Sequence, residues 1–189
     1  PIVNVAVLHP IESAWLSGGV REYTAADIET LDAQFSNITE WLLRGQIDFD
    51  FFSESMLPDL YCVTKGGFGI GEMKYKAVLI PPIKTVRTTT LAALSEFIRG
   101  GGIVYVCGEC PACVDAELSN AAESVWSKAQ KIDFSQAAIL QALSDLRDIE
   151  IRGDAGNRRT DLIYTMRQDG DNKWLFIAHC DCASRMDGN

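Results

Sequence analysis

The sequence IVNVAVL (residues 2–8) decides the fold class of this chain. It is short, apolar and rich in β-branched residues, and it stops at His9 and Pro10. A continuous apolar run of this length is typical of a strand buried on both faces, as found inside parallel sheets. We therefore predict a strand in the interior of a parallel α/β sheet.

A helix is predicted downstream of this strand. Thr24 stands three residues before Asp27, which resembles a capping box at the start of a helix. Apolar residues then recur at helical spacing, at Ile28, Leu31, Phe35, Ile38 and Leu42. Gly45 follows as the expected stop signal.

Strand and helix signals alternate along the next part of the chain. Three more short apolar runs, residues 47–52, 76–80 and 103–106, are predicted as strands. Apolar residues at helical spacing indicate helices over residues 91–98, 118–126 and 136–146, the last of them capped by Ser135. This alternation predicts a three-layer α/β domain with about five parallel strands and helices on both faces of the sheet.

The C-terminal part of the sequence changes character. Residues 162–167 and 174–178 are predicted as two strands, joined by the polar sequence QDGDN. Because Asp-Gly supplies turn positions with positive φ, this pattern indicates a β-hairpin. We predict an antiparallel hairpin on the edge of the mostly parallel sheet.

Glycines are concentrated in residues 65–71, where Gly67, Gly69 and Gly71 alternate with other residues. A dinucleotide-binding loop must directly follow a strand and open a helix, whereas here a predicted strand follows the glycines. We therefore predict a surface turn in this stretch, and we expect no cofactor.

Length and composition fit a single globular domain, residues 1–189, which is large enough to bury a core. Hydrophobic residues make up 47% of the chain and charged residues 23%, and the formal net charge is −9. An acidic chain is poorly suited to nucleic acid or an anionic membrane surface, since both are polyanions. We expect a soluble protein with no membrane span and no signal peptide. The start at Pro1, almost directly before a strand, indicates a segment of a longer protein.

Three of the six cysteines, Cys107, Cys110 and Cys113, have the spacing C-x-x-C-x-x-C. Thiolates at this spacing can ligate zinc or an iron–sulfur cluster, with Cys180 and Cys182 completing the set only if the fold brings them near. The fourth cysteine and the proline of a usual cluster run are missing. We therefore expect no metal and instead buried, reduced thiols, which favour the cytoplasm but leave the compartment open.

A catalytic thiol is an alternative interpretation of the same cysteines. A cysteine just past a strand, above a helix N-terminus, has a lowered pKa. Cys107 and Cys110 are in such a place, and His179, at the end of the last predicted strand, is the candidate base, with Asp181 nearby. This arrangement resembles class I glutamine amidotransferases. The sequence departs from them because it lacks glycines on both sides of the cysteine and a Pro-Glu after the histidine.

Two loops of the predicted sheet carry the residues best placed to contact a ligand. They follow the first two strands and contain His9, Glu12, Ser13, Trp15, Asp50, Ser53 and Glu54. Loops after parallel strands emerge on one side of the sheet, where open α/β sheets bind ligands. We expect these two loops to lie side by side and to contact a sugar or a neighbouring domain. The alternative is that the aromatic side chains close the core while the carboxylates cap helices.

Five segments occur in an order that resembles a known family: residues 9–15 (HPIESAW), 47–54 (IDFDFFSE), 75–82 (YKAVLIPP), 97–102 (FIRGGG) and 174–179 (WLFIAH). The series is similar to the internal domain of large glycoside hydrolases that resemble α-L-rhamnosidases. It is also similar, more distantly, to the trimerisation domain of some β-galactosidases. This resemblance implies a flavodoxin-like or amidotransferase-like sheet without the amidotransferase chemistry.

The resemblance also implies a role for the domain. In those families the hydrolytic carboxylates lie on a separate catalytic domain, so no catalytic residue is expected here. What it implies is a scaffolding or oligomerisation domain of a multidomain glycoside hydrolase. Its partners would be other domains of the parent enzyme, a second copy or carbohydrate. The alternatives are a thiol hydrolase that uses Cys107 or Cys110 with His179, and a metal module built on the cysteines.

Overall fold

The structure, a computed structural model, describes residues 1–64 and 66–180. Its strands are β1 (Val5–Leu8), β2 (Phe49–Phe52), β3 (Tyr61–Thr64), β4 (Gly67–Ile70), β5 (Met73–Tyr75), β6 (Ala77–Ile80), β7 (Thr85–Val86), β8 (Ile103–Cys107), β9 (Cys113–Val114), β10 (Glu117–Leu118), β11 (Gln130–Ile132), β12 (Leu162–Asp169) and β13 (Asn172–His179). Its α-helices are α1 (Ile11–Leu16), α2 (Arg21–Arg44), α3 (Leu57–Leu60), α4 (Thr88–Arg99), α5 (Glu123–Trp126) and α6 (Gln136–Ala142). Among the described residues, no helix has both the length and the apolar character that a membrane crossing requires.

The central sheet is parallel throughout, with the strand order β11-β8-β6-β1-β2. Numbered among themselves along the chain, these five strands have the order 2-1-3-4-5, which is that of doubly wound, flavodoxin-like sheets. The α/β fold class predicted from the sequence is therefore confirmed. The order reverses between β1 and β6, and this switch point is where such sheets bind ligands.

Two apolar cores cover the two faces of this sheet. One contains Ile38 and Leu42 of α2 together with Ile139 of α6, all completely buried. The other contains Leu94 of α4 and Trp126 of α5. All residues of β1 are inaccessible to solvent, and they alternate between the two cores. Each fully buried aliphatic side chain contributes about 1.5–3 kcal/mol, so the central strand anchors both layers.

Of the two helix N-termini for which a capping residue was predicted, those of α2 and α6, only the second has the expected cap. α2 begins at Arg21, ahead of the expected cap, and the Thr24 hydroxyl donates a hydrogen bond to the Val20 carbonyl at 3.2 Å inside the first turn. The predicted capping box is therefore wrong, because Thr24 already lies in the helix. Ser135 does cap α6, since its hydroxyl accepts a hydrogen bond from the Ala138 amide at 3.3 Å.

The end of α2 follows the sequence signal for a different reason than expected. Gly45 keeps a right-handed backbone, and the left-handed position falls on the next residue, Gln46, at φ 57°. Glycine is needed at position 45 because a Cβ there would lie 2.6 Å from the backbone carbonyl oxygen of Trp41 in α2 and 2.2 Å from the side chain of Leu140 on α6. Crowding by the last turn of α2 and by α6, rather than a left-handed turn, selects this glycine.

The glycine-rich stretch is a strand, so the predicted surface turn is wrong. β4 pairs with β3 and β5 in an antiparallel sheet, and Phe68 is completely buried between its glycines. A Cβ on Gly67 would lie 2.4 Å from Lys74, and one on Gly69 would lie 2.5 Å from the Cys62 sulfur. The glycines therefore allow neighbouring strands to pack closely, a role that strand propensity does not reveal.

The segment between β8 and α6 also departs from the prediction. A helix was expected over residues 118–126, but only Glu123–Trp126 is helical, and Leu118 lies exposed in the short strand β10. The fifth parallel strand is Gln130–Ile132, which the sequence analysis did not identify. This strand lies at the edge of the sheet and carries polar residues, so it lacks the continuous apolar run of an interior strand.

The predicted C-terminal hairpin is confirmed, but its position is not. β12 and β13 pair antiparallel over their full length, with Gly170 at φ 56° in the turn. They form a separate two-stranded sheet instead of extending the parallel one. The hairpin is attached through buried Tyr164 and Met166, and the Met166 carbonyl accepts a hydrogen bond from the Ile2 amide at 3.0 Å.

Candidate ligand site at the switch point

The loops after β1 and β2 lie side by side, because these strands pair in parallel along their full length. α1 follows β1 and carries Glu12, Ser13 and Trp15, whereas Glu54 follows β2. The loop after β6 enters the same region and leads through β7 to Arg87, which precedes α4. The carboxyl ends of three adjacent parallel strands thus build one surface at the switch point of the sheet.

Arg87 joins the two glutamates. Its guanidinium Nη2 lies 2.5 Å from Glu12 Oε1, and its backbone amide donates a hydrogen bond to Glu54 Oε2 at 2.7 Å. Glu54 is only 1% exposed. Burial raises the pKa of the Glu54 carboxyl, and the nearby charge of Glu12 acts in the same direction. The structure therefore brings Glu12 and Glu54 together, as expected, and places them around an arginine that the sequence analysis did not identify.

Ser13 fixes the first helix to the loop after β6. Its buried hydroxyl accepts hydrogen bonds from the backbone amides of Lys84 at 2.8 Å and Thr85 at 3.3 Å. Lys84 also forms an ion pair with Asp27 of α2. Ser13 is therefore a structural residue that holds α1 and β7 together.

A cavity of about 360 Å³, which we call the switch-point cavity, opens beside the contact between α1 and β7. It is lined by Glu12, Trp15, Leu16, Thr85, Arg87, Asp115 and Ala116. The Trp15 side chain is 64% exposed, so it forms an open wall of the cavity and does not close the core. This cavity lies where doubly wound sheets hold their ligands.

Asp115 and Ala116 form the far wall of the cavity in an uncommon backbone conformation. Both are left-handed, with φ 49° and 70°, which is rare for two consecutive residues that are not glycine. The Ala116 amide donates a hydrogen bond to Thr85 Oγ1 at 2.9 Å. The hydroxyl and the amide of Thr88 both donate to the Asp115 carboxylate, and they hold its pKa below the usual range. The wall is thus tied to β7 and to the start of α4.

The remaining residues of the two predicted loops have other partners. The His9 ring packs edge-on against Phe35, with ring centroids 4.9 Å apart. Asp50 accepts a hydrogen bond from the Tyr75 hydroxyl at 3.0 Å, and the Ser53 and Ser55 hydroxyls lie 2.8 Å apart. None of these residues lines the switch-point cavity. Of the predicted ligand-contacting residues, only Glu12 and Trp15 do.

The cysteines expected as alternatives are placed in different environments. Cys107 ends β8 and is completely buried, and burial raises the pKa of its thiol to about 12. Cys110 and Cys113 are half-buried, and Cys110 lines a separate open cleft with Trp126. Within residues 1–64 and 66–180, no three His, Cys, Asp or Glu side chains are grouped to hold a metal ion. Cys182 and Asp181 lie outside the described residues.

His179 belongs to a different sheet from Cys107. It ends β13 and lies 3.0 Å from the Asp161 carboxylate, which also pairs with the guanidinium of Arg159. Cys107 packs instead in the core beneath α2 and α6. The candidate nucleophile and the candidate base thus have separate surroundings.

Sequence reasoning missed Thr85, Arg87 and Asp115. Arg87 could have been identified from the strand order, because it lies downstream of β6, the strand that neighbours β1 across the switch point. The sequence analysis did not predict that order. Asp115 lies in the turn between β9 and β10, two short strands that carry no periodic sequence pattern. Only the folded chain brings these residues to the first helix.

No family model matches this chain, and no curated protein matches it. One solved structure with similarity is that of an apo exo-carrageenase GH42 from Bacteroides ovatus. It is 10% identical with a TM-score of 0.48, and the alignment covers 89% of this chain and 19% of that one. The chain thus spans about a fifth of that structure's length, and a likeness this weak carries no argument about function.

Proposed function

We propose that this chain is a non-catalytic packing domain of a larger carbohydrate-active enzyme. The observation that carries the proposal is the apolar surface of β13. Four consecutive large apolar side chains are exposed there, alternating between the two faces of the hairpin: Trp174 (66%) and Phe176 (65%) on one face, Leu175 (47%) and Ile177 (46%) on the other. Exposed apolar patches of this kind mark protein–protein contact surfaces in soluble proteins.

The hairpin places the two aromatic rings of this surface on one outward face. The strand register places Trp174 opposite Arg167 and Phe176 opposite Thr165, so both rings share the face that points away from buried Tyr164 and Met166. The outer edge of β13 pairs with no other strand of the described residues. An unpaired, apolar edge strand is a template for association, which natural proteins cover by a partner. The proposed partner is a neighbouring domain of the same polypeptide, in line with the resemblance of the sequence to internal domains.

The state of the carboxylates supports a non-catalytic role. A glycosidase pair needs one acid and one base or nucleophile on either side of the scissile bond. Here Glu54 is buried and bound to the amide of Arg87, and Glu12 is paired with its guanidinium. Both side chains are engaged in contacts that hold the loops together, and Glu54 is in addition withdrawn from solvent, which does not suit the two members of such a pair.

The environment of Cys107 argues against the thiol hydrolase alternative. A nucleophilic cysteine needs a lowered pKa and access to substrate. The Cys107 thiol is inaccessible and its pKa is raised by burial. A catalytic role for Cys107 has no support in this geometry.

Amide hydrogen exchange tests the packing role. The outward-facing amides of β13 are expected to exchange rapidly in the 189-residue chain and to become protected in the longer natural polypeptide that contains it. Replacing Trp174 and Phe176 with serine is expected to remove that protection, because the docking surface is lost. Replacing Lys173, an exposed neighbour on the same strand, is the matched control. Equal exchange of β13 in the short and long polypeptides would overturn the proposal.

A further inference from the structure

The cavity at the switch point has no role in the proposed packing function, which rests on the hairpin. Its walls come from α1, β7 and the loop between β9 and β10, on a part of the molecule that β13 does not line. Its volume of about 360 Å³ is within the range of about 300–1,000 Å³ that is usual for small-molecule sites. This volume accommodates one or two rings of monosaccharide size.

The two kinds of wall in this cavity suit a ligand with one apolar and one polar face. The exposed Trp15 ring offers a flat apolar surface, and an aromatic ring left open to solvent gains by covering that area. Glu12, Arg87 and Asp115 surround it with fixed hydrogen-bonding groups. A pyranose ring has this dual character, since its axial C–H groups form an apolar face and its hydroxyls lie around the rim.

The polar groups are positioned before any ligand binds. Arg87 is held by Glu12 at 2.5 Å, and the Asp115 carboxylate is held by two hydrogen bonds from Thr88. Planar carboxylate and guanidinium groups make paired hydrogen bonds, which match neighbouring hydroxyls on a sugar ring. Groups whose geometry is fixed in advance lose little conformational entropy on binding.

The charge of the cavity selects among saccharides. Its lining contains two carboxylates, Glu12 and Asp115, and one guanidinium, Arg87, which leaves a net charge of −1. The whole chain has a net charge of −9. An acidic or sulfated sugar would be repelled by this field, whereas a neutral one would not. We infer that the switch-point cavity binds a neutral monosaccharide unit, with the Trp15 ring against the apolar face of the sugar.

The indole N–H signals in a ¹H–¹⁵N spectrum give a direct test. The chain has four tryptophans, Trp15, Trp41, Trp126 and Trp174, and Trp15→Phe identifies the relevant signal. The probes are methyl β-galactopyranoside, methyl α-rhamnopyranoside and methyl β-glucopyranoside, with galacturonate and galactose 6-sulfate as charged counterparts. At least one neutral probe is expected to shift the Trp15 signal saturably, with a Kd on the order of 1 mM. Both charged galactose derivatives are expected to bind more weakly than the neutral probe that binds best.

Two variants distinguish a specific site from non-specific binding to exposed aromatic rings. Trp15→Ala is expected to weaken binding of the neutral probe by roughly tenfold, because the surface on which the sugar stacks is lost. Trp174→Ala, which removes an equally exposed ring on β13, is the matched control and leaves binding unchanged. The inference is overturned if no neutral probe shifts the Trp15 signal or if the charged sugars bind as tightly as the neutral ones. A shift of the Trp174 signal that parallels the Trp15 shift would also overturn it. These outcomes are independent of the β13 exchange experiment, so either idea can fail alone.

Discussion

The buried carboxylate of Glu54 accepts a hydrogen bond of 2.7 Å from the backbone amide of Arg87. This bond connects the loop after β2 to the start of α4. A carboxylate near a helix N-terminus is stabilised by the free amides and by the helix dipole. The contact therefore explains how a carboxyl group is accommodated inside an otherwise apolar region.

The first prediction concerns the pH dependence of this contact. Burial raises the folded-state pKa of Glu54 above its ordinary value of 4.5. Such a group contributes stability below its unfolded pKa, and this contribution is lost as the pH rises through the folded pKa. Relative to Glu54→Gln, which cannot ionise, the wild-type chain is expected to lose stability as the pH rises above the ordinary pKa of 4.5. Urea unfolding at pH values below and above 4.5 measures the difference, and Glu117→Gln, at an exposed site on β10, is the control. A difference that stays constant with pH would contradict the assignment.

The second prediction concerns Gln46, which ties α2 to the chain before the hairpin. Its side chain is 1% exposed, donates to the Arg159 carbonyl at 2.8 Å and accepts from the Ile151 amide at 2.7 Å. Gln46→Ala removes this acceptor from the Ile151 amide and leaves the Arg159 carbonyl only the Leu162 amide at 3.4 Å. The substitution is expected to cost about 1–3 kcal/mol of unfolding free energy. Gln141→Ala, at an exposed helical position, is the control and is expected to change it by less than about 0.5 kcal/mol. Equal effects of the two substitutions would show that the Gln46 contacts do not matter.

The third prediction distinguishes two glycines after α4. A Cβ at Gly102 would lie 2.2 Å from the ring of buried Phe97, whereas at Gly100 its nearest neighbour is the Phe97 carbonyl oxygen at 3.4 Å. Gly102→Ala is expected to destabilise the fold by about 1–3 kcal/mol through overpacking. Gly100→Ala, at φ −77°, is expected to be close to neutral. Thermal unfolding of the two variants checks the order, and a larger loss for Gly100→Ala would be the wrong result.

The fourth prediction concerns thiol reactivity. Cys107 is buried and has a pKa of about 12, whereas Cys62 and Cys180 are exposed. In native protein at pH 8, iodoacetamide is expected to modify Cys62 and Cys180 while Cys107 stays unmodified until the chain unfolds. Peptide mapping after a short labelling pulse measures each site separately. Labelling of Cys107 as rapid as that of Cys62 would revive the nucleophile interpretation.

Much of this fold follows from patterns that the sequence carries locally. Buried parallel strands such as β1 and β6 are continuous apolar runs, and the Asp169-Gly170 turn specifies its hairpin. The edge strand β11 was missed because an edge position does not demand apolar residues. β4 was missed because its glycines are selected by close contacts with the adjacent strands β3 and β5, which strand propensity does not reveal.

The candidate site was predictable only in part, for a similar reason. Glu12 and Trp15 follow the first strand, and parallel pairing was enough to bring them towards Glu54. Arg87 follows β7 and Asp115 lies in the turn between β9 and β10, so their positions depend on how these short strands pair in a separate sheet. Their partnership with Glu12 is therefore a tertiary property, which no local sequence pattern encodes.

We expect this chain to carry no glycosidase machinery of its own. The most direct test is the release of nitrophenol from nitrophenyl α-L-rhamnopyranoside and nitrophenyl β-D-galactopyranoside by the purified chain. Release is expected to be no faster than in buffer, and its rate is expected to be the same for wild type, Glu12→Gln and Glu54→Gln, because these carboxylates hold loops together. Turnover by the wild-type chain that either substitution abolishes would contradict it.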